Sequence, residues 1–212
     1  MMASFPNAGS GGIVRDIAAV IVENRAYLSE IDGKIGDGDH GVNMAKGFGR
    51  AAERIAPDAS LSDALSTLSD VLMSEIGGSM GPLYGMFFAE MSETVAQDTH
   101  IDGARFAAML RAGLEGIEAV GAAKVGDKTM IDALVPAVEA AEANRSDITA
   151  QLREVASAAE AGRDSTTDMV AKLGRAARLG ERSRGVPDAG ATSCALILRN
   201  LCDGAARRLE QG

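Results

Sequence analysis

The sequence predicts an all-α protein, built as an up-and-down bundle of eight antiparallel helices. Apolar residues recur three and four positions apart in eight segments, which is the spacing of one helix face. The links between these segments are short, as expected for antiparallel neighbours in such a bundle, and no segment has a convincing strand pattern. With 212 residues, of which 46% are hydrophobic, the chain can bury a full core within one domain.

The first four predicted helices follow these repeats in chain order. The repeats are Ile13, Ile17, Val20 and Ile21 for the first helix, Val42, Ala45, Phe48, Ala52 and Ile55 for the second, and Leu61, Leu65, Leu68 and Leu72 for the third. Ser60 or Ser62 would cap the third helix, because a serine oxygen accepts from the free N–H groups of a first turn. Pro82 suits the first turn of the fourth helix, which would run to about Gln97.

The last four helices come after residue 101. Asp102 would cap the fifth, which carries Phe106, Leu110, Gly113, Ile117 and Val120. The sixth covers roughly Thr129 to Asn144, where Pro136 should kink it or divide it into two pieces. The seventh extends over residues 148–173 with a break expected near 162–168, and the eighth over 191–210. Residues 1–12, rich in Ser, Gly and Asn, are expected to be flexible, which leaves 13–212 as a single domain.

Composition argues against several classes of partner. The formal net charge of −9 disfavours nucleic acid and anionic membranes, and 3% aromatic residues without tryptophan disfavour base-stacking surfaces. Cys194 and Cys202 would lie two helical turns apart, roughly 12 Å, which is too far for a disulfide. We therefore expect buried thiols in a reducing compartment. The absence of a signal peptide and of any run of about 18 apolar residues predicts a cytoplasmic protein.

Three carboxylates crowd together where the first predicted helix meets the second. Asp32, Asp37 and Asp39 alternate there with glycines at positions 33, 36 and 38. Like charges this close repel unless a cation neutralises them, and oxygen ligands suit a hard ion such as Mg²⁺ or Ca²⁺. Because glycines let backbone N–H groups approach a ligand closely, we expect a polyphosphate held through metal. The stretch is neither an EF-hand nor a Walker loop; the alternative is an ordinary Gly/Asp turn that begins the next helix.

The other breaks after odd-numbered helices are also rich in glycine. They cover residues 77–82, 121–130 and 174–193, and alternate connections of an up-and-down bundle lie at the same end. The intervening links, near residues 57–60, 99–102 and 144–147, contain no glycine. Each glycine segment alone could be an ordinary helix C-cap, but four of them at one end indicate a site. We call these four segments, with the acidic stretch as the first, the glycine-rich rim.

Four motifs of the chain resemble those of the nucleotide-binding L subunit of dihydroxyacetone kinase, and the resemblance spans nearly the whole chain. The motifs are Gly36-Asp37-Gly38-Asp39-His40-Gly41-Val42-Asn43-Met44, Gly77-Gly78-Ser79-Met80-Gly81-Pro82-Leu83-Tyr84-Gly85, Gly126-Asp127-Lys128-Thr129-Met130-Ile131-Asp132 and Gly180-Glu181-Arg182-Ser183. The resemblance implies a barrel of eight antiparallel helices that holds ADP or ATP at one end through two Mg²⁺ ions. It assigns the metal ligands to Asp32, Asp37 and Asp39.

The same resemblance implies which residues contact the nucleotide. It places His40, Gly41, Val42, Asn43 and Arg175 near the phosphates, Ser79 and Met80 along the nucleotide, Gly121 and Met130 near the adenine and ribose, and Asp188, Ala189 and Gly190 close to the base. Donors at a helix N-terminus suit a phosphate, although His40 could instead simply cap the second helix. Met130 would be core filler in most helical proteins.

Some positions differ from the commoner family pattern or stay outside the predicted site. Met80 stands where many members have serine, which removes one hydroxyl contact that Ser79 could replace. The frequent Asp-Pro-Gly is Asp188-Ala189-Gly190 here, with Pro187 ahead of the aspartate. We interpret Lys124 and Lys128 as solvated loop charges, and His100 as a surface or capping residue at the opposite end.

The resemblance implies a phosphoryl-donor subunit of a two-component kinase in glycerol metabolism. Its ketose would be bound by a separate K-type subunit, so this chain alone would be inactive on sugar. A phosphotransferase-system donor protein of M type is a second expected partner, if tightly held ADP is rephosphorylated rather than ATP consumed. Alternatives are an L-like domain that serves another ketose or a fatty acid, and a nucleotide-binding module without catalysis. A purely structural bundle is disfavoured by the glycine-rich rim.

Overall fold

A computed structural model describes residues 3–210, and α-helices dominate that range. In chain order the elements are β1 Ser4–Pro6, α1 Gly12–Glu23, α2 Arg25–Ile35, α3 His40–Arg54, α4 Leu61–Glu75, α5 Met80–Val95, β2 His100–Asp102, α6 Gly103–Val120, α7 Ile131–Ala143, α8 Ile148–Ser165, 3₁₀ segments Thr166–Asp168 and Ala176–Ser183, and α9 Ala189–Leu209. Within residues 3–210 the prediction of an all-α protein is confirmed.

Eight of these helices form a closed ring. Each helix packs against the next in the order α1, α3, α4, α5, α6, α7, α8 and α9, and α9 returns to α1. The short helix α2 continues from α1 and packs against α3 and α9. The predicted first helix is therefore two helices, because Asn24 leaves the helical conformation with ψ of 8° and its side-chain amide donates to the Val20 carbonyl at 2.9 Å. The architecture is the predicted up-and-down barrel.

Two predicted caps begin helices as expected. The Ser60 hydroxyl accepts from the Asp63 N–H at 3.0 Å at the start of α4. The Asp102 carboxylate accepts from the Arg105 N–H at 2.9 Å at the start of α6. Both contacts satisfy first-turn N–H groups that have no partner inside the helix.

The predicted division of the sixth helix at Pro136 is wrong, whereas the break expected near residues 162–168 is confirmed. Helix α7 is continuous through Pro136. The proline removes one backbone hydrogen bond, but the buried face of α7 stays packed against its neighbours. Helix α8 continues through Gly162, where the missing side chain lets α8 pack directly on the Asp132 carbonyl of α7. It ends at Ser165, inside the range predicted for the break, and gives way to a 3₁₀ turn. The predicted continuation is absent, because residues 169–173 are not helical.

Residues 3–12 of the segment for which flexibility was expected pack on the barrel, and residues 1 and 2 lie outside the described range. Ser4–Pro6 pairs antiparallel with His100–Asp102. The sequence did not indicate this small two-stranded sheet. Phe5 is fully buried in the barrel core. The Asn7 amide donates to the Val95 carbonyl at 2.9 Å. His100 is exposed, as expected for a surface residue.

The core of the barrel is apolar and contains most of the few aromatic rings. Phe88 is central, with the Phe87 ring centroid at 5.0 Å and the Phe48 ring at 5.9 Å, both edge-on. Cys194 and Cys202 are buried and free, as predicted. Within residues 3–210, none of the helices combines the length and the apolar character that a membrane span requires.

The burial of Phe5 predicts that the N-terminal segment contributes to stability. Phe5→Ala should lower the free energy of unfolding by about 3–5 kcal/mol, because it leaves a cavity in a packed core. Val22→Ala is the control, since Val22 is 44% exposed and its truncation should change stability by less than about 0.5 kcal/mol. Urea denaturation measures both. Equal stabilities for the two variants would mean that residues 3–12 do not pack on the barrel.

Candidate functional site

A cavity of about 460 Å³ lies at the end of the barrel where the glycine-rich rim was predicted. Every segment of that rim contributes to its wall. The lining includes residues 35–37, 77–80, 121–123, 128–131, 173–176 and 188–190. The predicted convergence of these loops on one end is therefore confirmed.

The acidic stretch forms a tight carboxylate cluster in this wall. Asp32, in the last turn of α2, and the loop residues Asp37 and Asp39 each offer an oxygen, and these oxygens lie within 4.8 Å of one another. The His40 N–H donates to Asp32 Oδ2 at 3.3 Å, and the Arg175 guanidinium pairs with Asp37. One guanidinium cannot balance three carboxylates, and an all-oxygen donor set is what Mg²⁺ prefers. The residues therefore fit a hard divalent cation.

Two glycines make this cluster possible. A Cβ at position 36 would lie 2.5 Å from Asp32 Oδ1, so a side chain there would displace that carboxylate from its position. At position 41 a Cβ would collide with the Arg25 carbonyl and lie 2.7 Å from Ser29 Oγ. Helix α3 can thus begin directly against α2, which brings its free first-turn N–H groups beside the aspartates.

Most of the predicted site residues line the cavity. They are Asp32, Asp37, Asp39, His40, Asn43, Ser79, Met80, Gly121, Met130, Arg175, Asp188, Ala189 and Gly190. Gly41 and Val42 are the exceptions, because Gly41 packs against α2 and the Val42 side chain is 42% exposed. These two residues could reach a ligand only through their backbone. Met80 is 9% exposed, whereas Ser79 beside it is exposed and its hydroxyl caps no helix.

The His40 ring is hydrogen-bonded to a pair of buried hydroxyl groups, which the sequence did not indicate. His40 Nε2 and Ser193 Oγ lie 2.9 Å apart, and Ser193 Oγ lies 2.7 Å from the Tyr84 hydroxyl. The Tyr84 hydroxyl also donates to the Gly190 carbonyl at 3.2 Å. Burial lowers the pKa of His40 to about 4, although Asp32 acts in the opposite direction. The ring is therefore neutral at pH 7, and a neutral imidazole presents one donor and one acceptor.

Asp132 shapes the loop that precedes α7. This residue is 2% exposed, and its carboxylate accepts from the Gly126 N–H at 2.5 Å and the Thr129 N–H at 2.7 Å. These contacts satisfy backbone donors ahead of the helix, as a capping carboxylate does. They place Met130, which is 6% exposed, in the cavity wall.

Asp188 begins α9 and forms another part of the wall. Its carboxylate accepts from the Ala191 N–H at 2.7 Å, and its own N–H donates to Thr166 Oγ1 at 2.9 Å. Burial raises the pKa of Asp188 to about 6, while the Ala191 N–H and the Lys128 charge act in the opposite direction. A carboxyl group that titrates near neutrality is thus built into the cavity.

The interpretation of Lys128 as a solvated charge is wrong. Lys128 is 2% exposed and lies in the cavity wall, because its ammonium group is satisfied by carbonyl groups of other segments. Lys124 is exposed, as expected. The sequence feature that could have indicated a role for Lys128 in the site is its position directly before Thr129 and Met130 in the third motif. Helical periodicity takes no account of that position.

The chain that forms this closed helical barrel matches the DAK2 domain family over residues 34–203. It is 40% identical to the ADP-binding subunit DhaL of the PEP-dependent dihydroxyacetone kinase 1 of Listeria innocua, over 87% of this chain and 89% of that protein. It is 38% identical to the ADP-binding subunit DhaL of the PTS-dependent dihydroxyacetone kinase of Lactococcus lactis, over 86% of this chain and 90% of that one. The chain therefore belongs to the DhaL family of dihydroxyacetone kinase subunits.

A solved structure supports the same relationship. The dihydroxyacetone kinase of C. freundii, crystallised with AMP-PNP and Mg²⁺, superposes with a TM-score of 0.69 at 28% identity. The match covers 91% of this chain and 33% of the solved chain. This chain thus spans about a third of that kinase.

The raised pKa of Asp188 predicts a pH-dependent stability. Between the usual value of 3.8 and the folded value of about 6, the folded protein binds a proton that the unfolded protein lacks. The free energy of unfolding therefore falls as the pH rises through this window. Relative to Asp188→Asn, which keeps a capping oxygen, the wild type should lose on the order of 1 kcal/mol between pH 5 and pH 7.5.

Urea denaturation of both proteins at the two pH values measures this difference. Asp147→Asn is the matched control for exchanging an N-cap carboxylate for an amide, because Asp147 caps α8 in an exposed position. A constant difference between wild type and Asp188→Asn across this range would contradict the prediction.

Proposed function

We propose that this chain is the ADP- or ATP-binding, phosphoryl-donor subunit of a two-component ketose kinase, with dihydroxyacetone as the expected acceptor. The observation that carries the proposal is the carboxylate cluster, with oxygens within 4.8 Å of one another, beside a cavity of about 460 Å³. The names of the DhaL relatives, which are ADP-binding subunits, support the choice of nucleotide.

Asp32, Asp37 and Asp39 would hold the metal, and the resemblance suggests two Mg²⁺ ions. When bound, Mg²⁺ would offset the negative charge of the polyphosphate and of the phosphoryl group in transfer. The C. freundii kinase, crystallised with AMP-PNP and Mg²⁺, supports this pairing of nucleotide and metal.

The chain's own residues would bind and orient the nucleotide. The first turn of α3, with His40 and Asn43, offers donors to phosphate oxygens. Arg175 pairs with Asp37, so its guanidinium lies beside the cluster and can donate to a phosphate that binds there. Met80 and Met130 are apolar parts of the wall and would pack against the base.

The acceptor would come from a second protein. We propose that a K-type subunit carries the ketose and docks on the glycine-rich rim, whose loops line the cavity. A phosphotransferase donor protein would be a further partner if bound ADP is rephosphorylated in place, and the PEP- and PTS-dependent names of the relatives favour that mode. An L-like role toward another ketose would use the same cavity with a different partner.

Nucleotide binding should require a divalent cation. Three carboxylates would repel a polyphosphate in the absence of metal, so the Kd for ADP should rise by at least about 100-fold when excess EDTA replaces Mg²⁺. Calorimetric titration measures this change. Adenosine, which carries no phosphate, is the control ligand and should be indifferent to the chelator. Tight ADP binding in EDTA would refute the assigned role of the cluster.

Activity should require both the cluster and a partner. The isolated chain should not phosphorylate dihydroxyacetone, and addition of a K-type subunit with a phosphoryl source should restore turnover. Asp39→Asn should then lower the rate by at least about 100-fold, because it removes one metal-bound charge. Its metal-free stability should equal or exceed that of the wild type, since repulsion within the cluster is reduced.

A coupled kinase assay and thermal melts without metal test these outcomes. Asp70→Asn is the matched control, because Asp70 is exposed on α4 and does not line the cavity. Full activity of Asp39→Asn, or ketose turnover by the chain alone, would overturn the assignment.

A further inference from the structure

We propose that Lys128 is a positioning residue for the nucleotide cavity. Its buried ammonium group ties the loop before α7 to both ends of the segment 166–186, and so holds Arg175 and Asp188 in place at the wall. This inference rests on the proposed function, because the loss that it predicts is a loss of nucleotide affinity.

The contacts of Lys128 join three separate parts of the chain. Its Nζ donates to the Thr166 carbonyl at 2.5 Å and to the Val186 carbonyl at 2.6 Å. Thr166 follows α8 and Val186 comes shortly before α9, so the two acceptors bracket the long connection that carries Arg175. An ammonium group with three donors can satisfy both carbonyls at once. Lys128 thus closes this connection into a loop anchored at the cavity.

Thr166 extends the same arrangement to Asp188. Thr166 is fully buried, and its hydroxyl oxygen accepts from the Asp188 N–H at 2.9 Å. The next residue, Thr167, accepts from the Gly185 N–H at 2.8 Å through its carbonyl. The position of Asp188 therefore depends on the 3₁₀ turn that Lys128 holds. Loss of the ammonium group would leave two buried carbonyls without their donor, which favours movement of both segments.

The backbone conformation of Lys128 indicates that its side-chain contacts explain why a lysine occupies this position. Among the residues that the structure describes, Lys128 is the non-glycine residue with a positive φ, 63°. This left-handed conformation is unfavourable for a side chain with a Cβ and is readily adopted by glycine. Backbone preference alone would favour glycine here, so the contacts of the ammonium group account for a lysine.

Charge gives the same residue a second effect on the wall. Burial lowers the pKa of Lys128, and the carboxylate of Asp188 is the strongest influence in the opposite direction. In turn, the Lys128 charge lowers the pKa of Asp188 and so opposes the effect of burial on that carboxyl group. An ammonium group next to a cavity that contains four aspartates also lowers the repulsion that an incoming polyphosphate meets.

The experiment compares three variants with the wild type. Lys128→Met removes the ammonium group, Lys128→Arg keeps a cation with several donors, and Lys124→Met is the matched control, because Lys124 is an exposed lysine in the same loop. With Mg²⁺ present, the Kd for ADP should rise at least about tenfold in Lys128→Met. It should stay within about twofold of the wild type in Lys124→Met and recover in part in Lys128→Arg.

Hydrogen exchange in the nucleotide-free proteins separates positioning from general stability. In Lys128→Met, exchange should accelerate at the amides of Gly185 and Asp188 and through residues 166–188, while the ring helices α4 and α5 keep their protection. Unchanged exchange in 166–188, faster exchange over the whole barrel, or an unchanged Kd for ADP would each overturn the proposal.

A measurement on the wild type covers the case in which Lys128→Met does not fold. Acetylation by an amine-reactive ester should be at least about tenfold slower at Lys128 than at Lys124, since a buried, hydrogen-bonded ammonium is protected. Equal rates would overturn the inference. If the wild type failed to bind ADP with Mg²⁺, the proposed function would fail, whereas exchange and acetylation would still decide whether Lys128 holds the segment.

Discussion

The repulsion among Asp32, Asp37 and Asp39 is the constraint on which the functional end of the molecule depends. Their oxygens lie within 4.8 Å of one another, a spacing that the chain must maintain against electrostatic repulsion before any cation binds. Rigid backbone supplies the restraint. Gly41 lets α3 begin in contact with α2, and Gly36 lets the connection turn beside Asp32. Both helices are in turn fixed by the closed ring of the barrel, so the geometry of the cluster derives from packing far from the ligands.

The rim and the barrel are stabilised by different interactions. The barrel is an apolar ring in which helices bury aliphatic and aromatic side chains. The rim loops are held in addition by single polar side chains that satisfy backbone groups. Asp132 organises the loop before α7, Asp188 the start of α9, and Lys128 the connection between α8 and α9. Such contacts allow a loop to open at a free energy well below that of unfolding.

Sequence patterns predicted the barrel and most of the cavity, and the failures have identifiable causes. Periodicity located the ring helices because each buries a long apolar stripe, and glycine content located the rim. Periodicity could not foresee the break at Asn24, since both halves keep the same apolar face. It also missed the β1–β2 pair, whose three-residue strands are too short to show alternation. Ser193 and Lys128 were missed because their roles arise from contacts across 153 and 58 residues of sequence.

Because α1 packs against α9 and closes the ring, the site does not depend on where along the ring the chain begins and ends. The start of α1 and the end of α9 lie at the end of the barrel opposite the cavity, which we call the opposite pole. There the Arg208 side chain donates to the Gly9 carbonyl at 2.8 Å. A circular permutant joined at this pole and opened at the link between α3 and α4 would keep every rim loop intact. For the same reason, a further domain fused at this pole would leave the cavity accessible. The topology thus allows this barrel to serve either as a separate subunit or as one module of a longer kinase.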